Sequence, residues 1–66
     1  MALEKYEDHT VVIQTVNDKI FRGKVIDFLR ADYGEADVDS IIVRDVIRNK
    51  LIEFTEADIK TIDIVK

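Results

Sequence analysis

The fold is decided by residues 19–30, Lys-Ile-Phe-Arg-Gly-Lys-Val-Ile-Asp-Phe-Leu-Arg. Hydrophobic residues are interspersed there with charged ones, a pattern that predicts a long β-strand with one buried face. Gly23 stands inside the strand, and its missing side chain permits a sharp bend or the close approach of another backbone. We therefore predict a long, bent second strand of the kind that closes a small barrel.

The segments on either side of this strand predict an all-β domain. Val, Ile and Thr supply 22 of the 66 residues and Ala and Leu only seven, which favours strands over helices. No Pro-rich or Gly-rich linker and no repeat divides the sequence, so we predict one domain over residues 1–66. The predicted elements are a short N-terminal helix at about 2–7 and strands at about 10–16, 19–30, 40–46, 50–54 and 59–65.

The connections follow from turn chemistry. Asn17 and Asp18 predict a two-residue hairpin turn, and the acidic residues 31–39 predict a loop between the second and third strands. Thr55-Glu56-Ala57-Asp58 predicts one capped helical turn, in which Thr55 accepts from the backbone N–H near Asp58.

Alternation along the strands predicts which side chains form the core. The outward positions of the same strands also carry apolar side chains, and such a surplus usually marks an interface. The predicted core is Val11, Ile13, Phe21, Val25, Phe28, Ile41, Val43, Ile52, Phe54, Ile59, Ile62 and Ile64, and the outward apolar residues are Val12, Ile26, Ile42 and Leu51.

Size and composition limit the possible partners. A domain this small buries only about 60% of its unfolded surface, and without cysteine it has no disulfide, so we predict a homo-oligomer. The net charge of −4 argues against DNA and anionic lipid. No apolar run approaches the roughly 20 residues of a membrane span, and the first residues lack a basic stretch followed by an apolar one. We therefore predict a cytoplasmic protein without membrane contact.

Catalytic and metal sites have weak support. His9 has no cysteine or second histidine beside it, and Ser40 is the only serine, so we predict neither an enzyme nor a cofactor. The four carboxylates of the acidic loop, from Asp32, Glu35, Asp37 and Asp39, offer the oxygen ligands that Ca²⁺ or Mg²⁺ prefers. A solvated loop that favours solubility is the preferred interpretation, and no metal site is predicted.

Two motifs resemble the Sm-like (LSm) family of small bent barrels. Residues 21–28, Phe-Arg-Gly-Lys-Val-Ile-Asp-Phe, fit the family's second-strand pattern of hydrophobe, x-Gly-x, aliphatic residue, two spacers and hydrophobe. Residues 47–49, Ile-Arg-Asn, are similar to the family's Ile-Arg-Gly, with Asn tolerated at positive φ. Residues 51–62 also resemble the ends of uncharacterised bacterial members. The resemblance implies a five-stranded, strongly bent antiparallel Sm-like barrel.

The resemblance also implies single-stranded RNA as the ligand. Phosphates would be held by charge and bases by stacking. Residues 19–30 carry a net charge of +3 and residues 40–50 a net charge of +2. If the two segments lie side by side, Arg44 lies on the same face as the basic residues of the second strand. The residues predicted to bind RNA are Arg22, Lys24, Tyr33, Arg48, Asn49 and Lys50.

Two departures from the family weaken the RNA prediction. The loop after Phe28 lacks the base-reading Asn of RNA-binding members, and the Tyr-Lys-His signature of the bacterial RNA chaperones is absent. A protein-interaction or structural scaffold that has lost the RNA site is therefore the alternative. For the basic residues themselves, the alternative is that Arg22, Lys24 and Arg44 pair across the strands with Asp and Glu.

Sheet edges predict how copies would meet. The last strand has no proline and would expose unpaired backbone groups in a monomer. Pairing of the fourth strand of one copy with the fifth of the next forms the rings of Sm-like proteins, and the resemblance implies it here. The residues predicted to form this interface are Leu51, Glu53, Thr61, Asp63 and Val65.

Overall fold

The computed structural model describes residues 2–31 and 38–66, which form one antiparallel sheet with short turns of 3-10 helix. The predicted all-β class is confirmed, and the strands agree with the prediction to within one residue at each end. The N-terminal helix is shorter than predicted and is a 3-10 turn. In chain order the elements are a 3-10 turn at Leu3–Tyr6, β1 at Thr10–Thr15, β2 at Ile20–Leu29, β3 at Ser40–Asp45, β4 at Lys50–Thr55, a 3-10 turn at Glu56–Asp58 and β5 at Ile59–Ile64.

The long strand β2 belongs to both halves of the sheet. The strand order is β4-β3-β2-β1-β5. The first part of β2 pairs with β1, up to Lys24 opposite Thr10, and the part from Gly23 onward pairs with β3. The pairing with β3 shifts by one residue between Val25 and Asp27, a β-bulge that increases the local twist. The strand β2 thus connects the β3–β4 pair on one side of the sheet to the β1–β5 pair on the other.

The sheet must curl, because its two edge strands are joined by only three residues. In a flat sheet β4 and β5 would lie about 19 Å apart, four strand spacings, whereas a three-residue 3-10 turn advances about 6 Å. The link Glu56–Asp58 therefore requires the end of β4 to lie near the start of β5. The extents of 30 × 24 × 21 Å agree with a curled layer. The two edges form no ladder with each other, so the sheet is open and the predicted barrel stays a prediction.

Gly23 is placed where the backbones of β2 and β3 come very close. A Cβ atom there would lie 2.1 Å from the carbonyl oxygen of Arg44 and 2.8 Å from Cγ1 of Val43. Any side chain would therefore collide with the backbone of the neighbouring strand. The predicted close backbone approach at this glycine is confirmed.

The core lies on the inner face of the curl and includes the N-terminal turn. Leu3 and Tyr6 close one side of it and are buried with seven strand residues. Ile64 was predicted to be in the core, but it is 39% exposed because it ends an edge strand that pairs with β1 alone. The buried strand residues are Val11, Ile13, Val25, Ile41, Val43, Phe54 and Ile59, and those partly buried against them are Phe21, Phe28, Ile52 and Ile62.

The β1–β2 connection differs from the predicted two-residue turn. Thr15 N–H donates to the Lys19 carbonyl at 2.8 Å, so residues 16–18 form a three-residue loop. Asp18 adopts φ 66°, the left-handed conformation that ends such loops. At the other connection, one carboxylate oxygen of Asp58 accepts from both the backbone N–H and the hydroxyl of Thr55, each at 3.0 Å.

No helix among residues 2–31 and 38–66 is long and apolar enough to cross a membrane.

Candidate functional site

The β3–β4 turn is organised by a buried carboxylate. Asp45 is fully buried and accepts hydrogen bonds from the backbone N–H groups of Ile47 at 3.0 Å and Arg48 at 2.9 Å. Nη1 of Arg48 donates to its second oxygen at 2.6 Å. The pKa of Asp45 is lowered, chiefly by the Arg48 backbone N–H; burial opposes this, and the Arg48 guanidinium and the Ile47 N–H add to it. Asp45 therefore remains a carboxylate that shapes the turn.

Arg48, predicted to bind RNA, is held by the same turn. Its guanidinium carbon lies 4.5 Å from the centre of the Phe21 ring, which in turn meets Phe54 edge-on at 5.1 Å. An ion pair and an aromatic face thus occupy the side chain. Asn49 follows it with φ 54°, which confirms the expectation that Asn replaces Gly at a positive-φ position.

Three cations form the most coherent part of the predicted site, and we call them the cationic face: Arg22, Lys24 and Arg44. All three are exposed on the outer face of β2 and β3, and Lys24 stands directly opposite Arg44. The cross-strand partner of Arg22 is Val12.

None of the three has an ion-pair partner among the residues that the structure describes, where the ion pairs are Arg30–Glu4, Arg48–Asp45 and Lys60–Asp18. The alternative in which these cations pair with Asp and Glu across the described strands is therefore wrong.

Lys50 and Asn49 extend this surface toward β4. With Arg44 and Leu51 they line a shallow open depression of about 240 Å³. The structure therefore places three of the predicted RNA-binding residues, Lys24, Asn49 and Lys50, beside Arg44, and Arg22 lies two residues before Lys24 on β2. Tyr33, the predicted stacking platform, lies outside the described residues.

In the described part of the chain, Asp39 and His9 belong to no cluster of metal-binding side chains. Asp32, Glu35 and Asp37 lie outside the described residues, and Asp39 accepts a hydrogen bond from the Ala31 N–H at 2.9 Å. Within residues 2–31 and 38–66 no group of three His, Cys, Asp or Glu side chains is arranged to hold a metal ion.

The free edges of the sheet can be assigned residue by residue. Val65 N–H bonds to Thr10 O at 2.8 Å, and since backbone groups alternate in direction along a regular strand, the backbone groups of Ile62 and Ile64 face away from β1. A β-bulge opposite Gln14 and Thr15 interrupts this alternation before Lys60. Glu56 N–H bonds to Asp39 O at 3.0 Å, which by the same rule turns the odd-numbered residues of β4 away from β3. The free edges present the backbone groups of Leu51 and Glu53 on β4 and of Ile62 and Ile64 on β5.

Of the residues predicted to form the interface, Leu51 and Glu53 lie on the free edge of β4. On β5, Thr61, Asp63 and Val65 direct their backbone groups toward β1, so only their side chains are available to a second chain. The sequence alone does not show whether the odd-numbered or the even-numbered residues of the last strand turn their backbone groups toward β1, because it does not show how β1 and β5 pair.

Sequence reasoning missed the apolar apex of the β3–β4 turn. Val46 is 71% exposed and Ile47 78%. The signal was a pair of β-branched residues placed between a strand end and Arg-Asn, but Val46 was assigned to the end of the third strand.

Comparison with known proteins identifies no relative. No protein-family model, no curated protein and no solved structure matches the chain.

Proposed function

We propose that this chain is a non-enzymatic binding module of the Sm-like type whose ligand is single-stranded RNA. The observation that carries the proposal is the cationic face: three exposed cations, without ion-pair partners in the described part of the chain, on a protein of net charge −4. Like charges directly opposite each other on neighbouring strands are destabilising, as Lys24 and Arg44 are here. A phosphate between them would relieve that repulsion.

Local charge is sufficient for such binding even though the whole protein is acidic. Screening limits interactions between exposed charges to about 8 Å at physiological salt, so a bound strand responds mainly to the cations that it touches. Lys50 and the amide of Asn49 border the same surface and supply further donors. Arg48 is not part of this proposal, since Asp45 and Phe21 already hold its guanidinium.

A salt titration with short U-rich and A-rich RNAs tests the proposal. Three phosphate contacts predict that log K falls with log salt with a slope of about −2, at about 0.7 for each contact. The double variant Lys24→Gln and Arg44→Gln should reduce the slope by about 1.4. Lys5→Gln with Lys66→Gln removes the same charge away from the cationic face and should leave the slope unchanged. Absence of binding at low salt, or binding indifferent to salt, would contradict the proposal.

A protein-interaction or structural scaffold is the second candidate. It is favoured by the commitment of Arg48 to the β3–β4 turn and by the exposure of Val46 and Ile47. Pull-down from a nuclease-treated lysate distinguishes the two, because a protein partner would be retained while an RNA-mediated one would be lost. The partner should then be lost with Ile47→Ser, which leaves the cationic face intact.

Assembly with further copies belongs to both proposals. The Sm-like resemblance implies a ring in which β4 of one copy meets β5 of the next, and the open edges on these two strands support it. Light scattering on a size-exclusion column measures the mass directly. A monomeric mass at every protein concentration would contradict the proposed assembly, and RNA binding would then be tested by the salt titration alone.

A further inference from the structure

The aromatic side chains of the described residues are turned away from the cationic face. Four of the five aromatic residues in the sequence belong to the core or pack against it: Tyr6, Phe21, Phe28 and Phe54. The guanidinium of Arg48 also covers the Phe21 ring, at 4.5 Å from its centre. Single-stranded nucleic acid is commonly held by stacking its bases on exposed rings. Within residues 2–31 and 38–66, the cationic face offers no ring for that purpose.

The neighbours of the three cations on the outer face are one hydroxyl and two aliphatic side chains. The partners across the ladders are Thr10 for Lys24, Val12 for Arg22 and Leu51 for Arg44. A threonine hydroxyl is a common contact of phosphate oxygens, whereas aliphatic side chains carry no donor or acceptor for a base edge. The surface therefore combines positive charge and one hydroxyl with apolar flanks, which suits phosphates better than bases.

The three cations also follow one another in short steps. Arg22 and Lys24 are two residues apart on β2, so their Cα atoms are separated by about 6.6 Å. Lys24 and Arg44 lie directly opposite each other, one strand spacing of about 4.8 Å apart. All three are exposed and have no ion-pair partner in the described ranges. Successive phosphates of one chain can therefore each meet a cation.

We propose that the cationic face binds a chain of linked phosphates through the phosphates alone and does not read bases. The inference rests on the proposed function, since it concerns the same surface, and it defines the ligand by its backbone. Two sources provide this chemistry, the backbone of a single-stranded RNA and inorganic polyphosphate. RNAs of different base composition should bind equally well, and polyphosphate should compete with them.

Asn49, which borders this surface, allows a direct test of base reading. Its side-chain amide can donate to a phosphate or pair with the edge of a base. Its φ of 54° is a conformation that glycine adopts without strain, so Asn49→Gly removes the amide and preserves the turn. A phosphate contact predicts the same loss of affinity, about threefold, for U-only and A-only RNA, whereas base reading predicts a loss for one of them.

Fluorescence anisotropy at low salt with short labelled RNAs, one of U only and one of A only, measures the preference. The two dissociation constants should agree within about threefold, and inorganic polyphosphate with the same number of phosphates should displace either RNA. The double variant Lys24→Gln and Arg44→Gln should weaken RNA and polyphosphate alike, by about tenfold or more. The control pair, Lys5→Gln with Lys66→Gln, should change neither affinity by more than about twofold.

The outcomes separate this inference from RNA binding itself. A preference of about tenfold or more for one base, which stacking by Tyr33 would also produce, would overturn the inference and leave the proposed function standing. RNA that polyphosphate fails to displace would do the same. Polyphosphate binding without RNA binding would contradict the proposed ligand and support the phosphate chain. Failure of both ligands to bind at low salt would contradict the proposed function and the inference together.

Discussion

Replacing Gly23 by alanine tests the close approach of β2 and β3. The added Cβ would lie 2.1 Å from the Arg44 carbonyl oxygen, whereas ordinary contact begins at 3.4 Å. The strands would have to separate or slide by about 1.3 Å at this point. The obstacle is backbone rather than the far end of a side chain, so no rotamer change relieves it.

The cost follows from what the displacement disrupts. A movement of that size stretches the ladder bonds beside Gly23 beyond hydrogen-bonding distance, and two such bonds contribute about 2 kcal/mol. Overpacking adds about 1–3 kcal/mol, and the stiffer unfolded chain returns about 0.4–1 kcal/mol. We expect a net loss of about 3 kcal/mol, against a total stability of about 3–10 kcal/mol for a domain of this size.

Urea unfolding followed by far-ultraviolet circular dichroism measures the loss. With a slope of about 1 kcal/mol per molar for so small a domain, the midpoint should fall by about 3 M. Lys24→Ala is the matched control, since Lys24 is the exposed next residue on the same strand and its removal should change stability by at most about 0.5 kcal/mol. If Gly23→Ala loses less than about 1 kcal/mol with an unchanged slope, the contact between β2 and β3 is not as close as described.

Three further substitutions test other parts of the fold. The folded-state pKa of Asp45 lies below its ordinary value of 3.8, so its carboxylate stabilises the fold above that pH and the contribution is lost as pH falls below it. Asp45→Asn should therefore be less stable than the wild type at pH 7, and its free energy of unfolding should decline less as the pH is lowered. An equal decline in the variant and the wild type would contradict this. Leu3→Ala should cost about 2–5 kcal/mol in urea unfolding, because Leu3 is fully buried, and a cost near zero would mean that the N-terminal turn is not packed on the core. Asp58→Ala removes two hydrogen bonds donated by Thr55 and should lower the free energy of unfolding by about 1 kcal/mol, measured by thermal unfolding, whereas the exposed Lys66→Ala serves as the control and should leave it unchanged.

Local pattern was sufficient to predict the strands and the role of Gly23. β-Branched enrichment marks each strand, and a lone glycine inside a long strand usually marks a bulge, a bend or a close backbone approach. The charge along the sequence also indicated a basic face on the condition that the two basic segments lie side by side, and the pairing of Lys24 with Arg44 meets that condition.

The roles of Asp45 and Arg48 needed the structure. An aspartate between two strands reads as an ordinary turn residue, and only the geometry shows that it is buried and accepts from three donors. Arg48 was therefore assigned to a ligand instead of to the turn. The bulge after Val25 was equally hidden, because an extra residue in one strand leaves no mark in the hydrophobic pattern.

The pairing of the first strand with the last sets the order in which the molecule can form. The β3–β4 hairpin joins residues close in sequence, whereas Val11 meets Ile64 across almost the whole chain. Closing a long loop carries an entropy cost that only the finished core recovers, so β5 is expected to dock last and to detach first. Its amides should exchange with deuterium well before those of β3, and that early opening would expose the inner wall of the core.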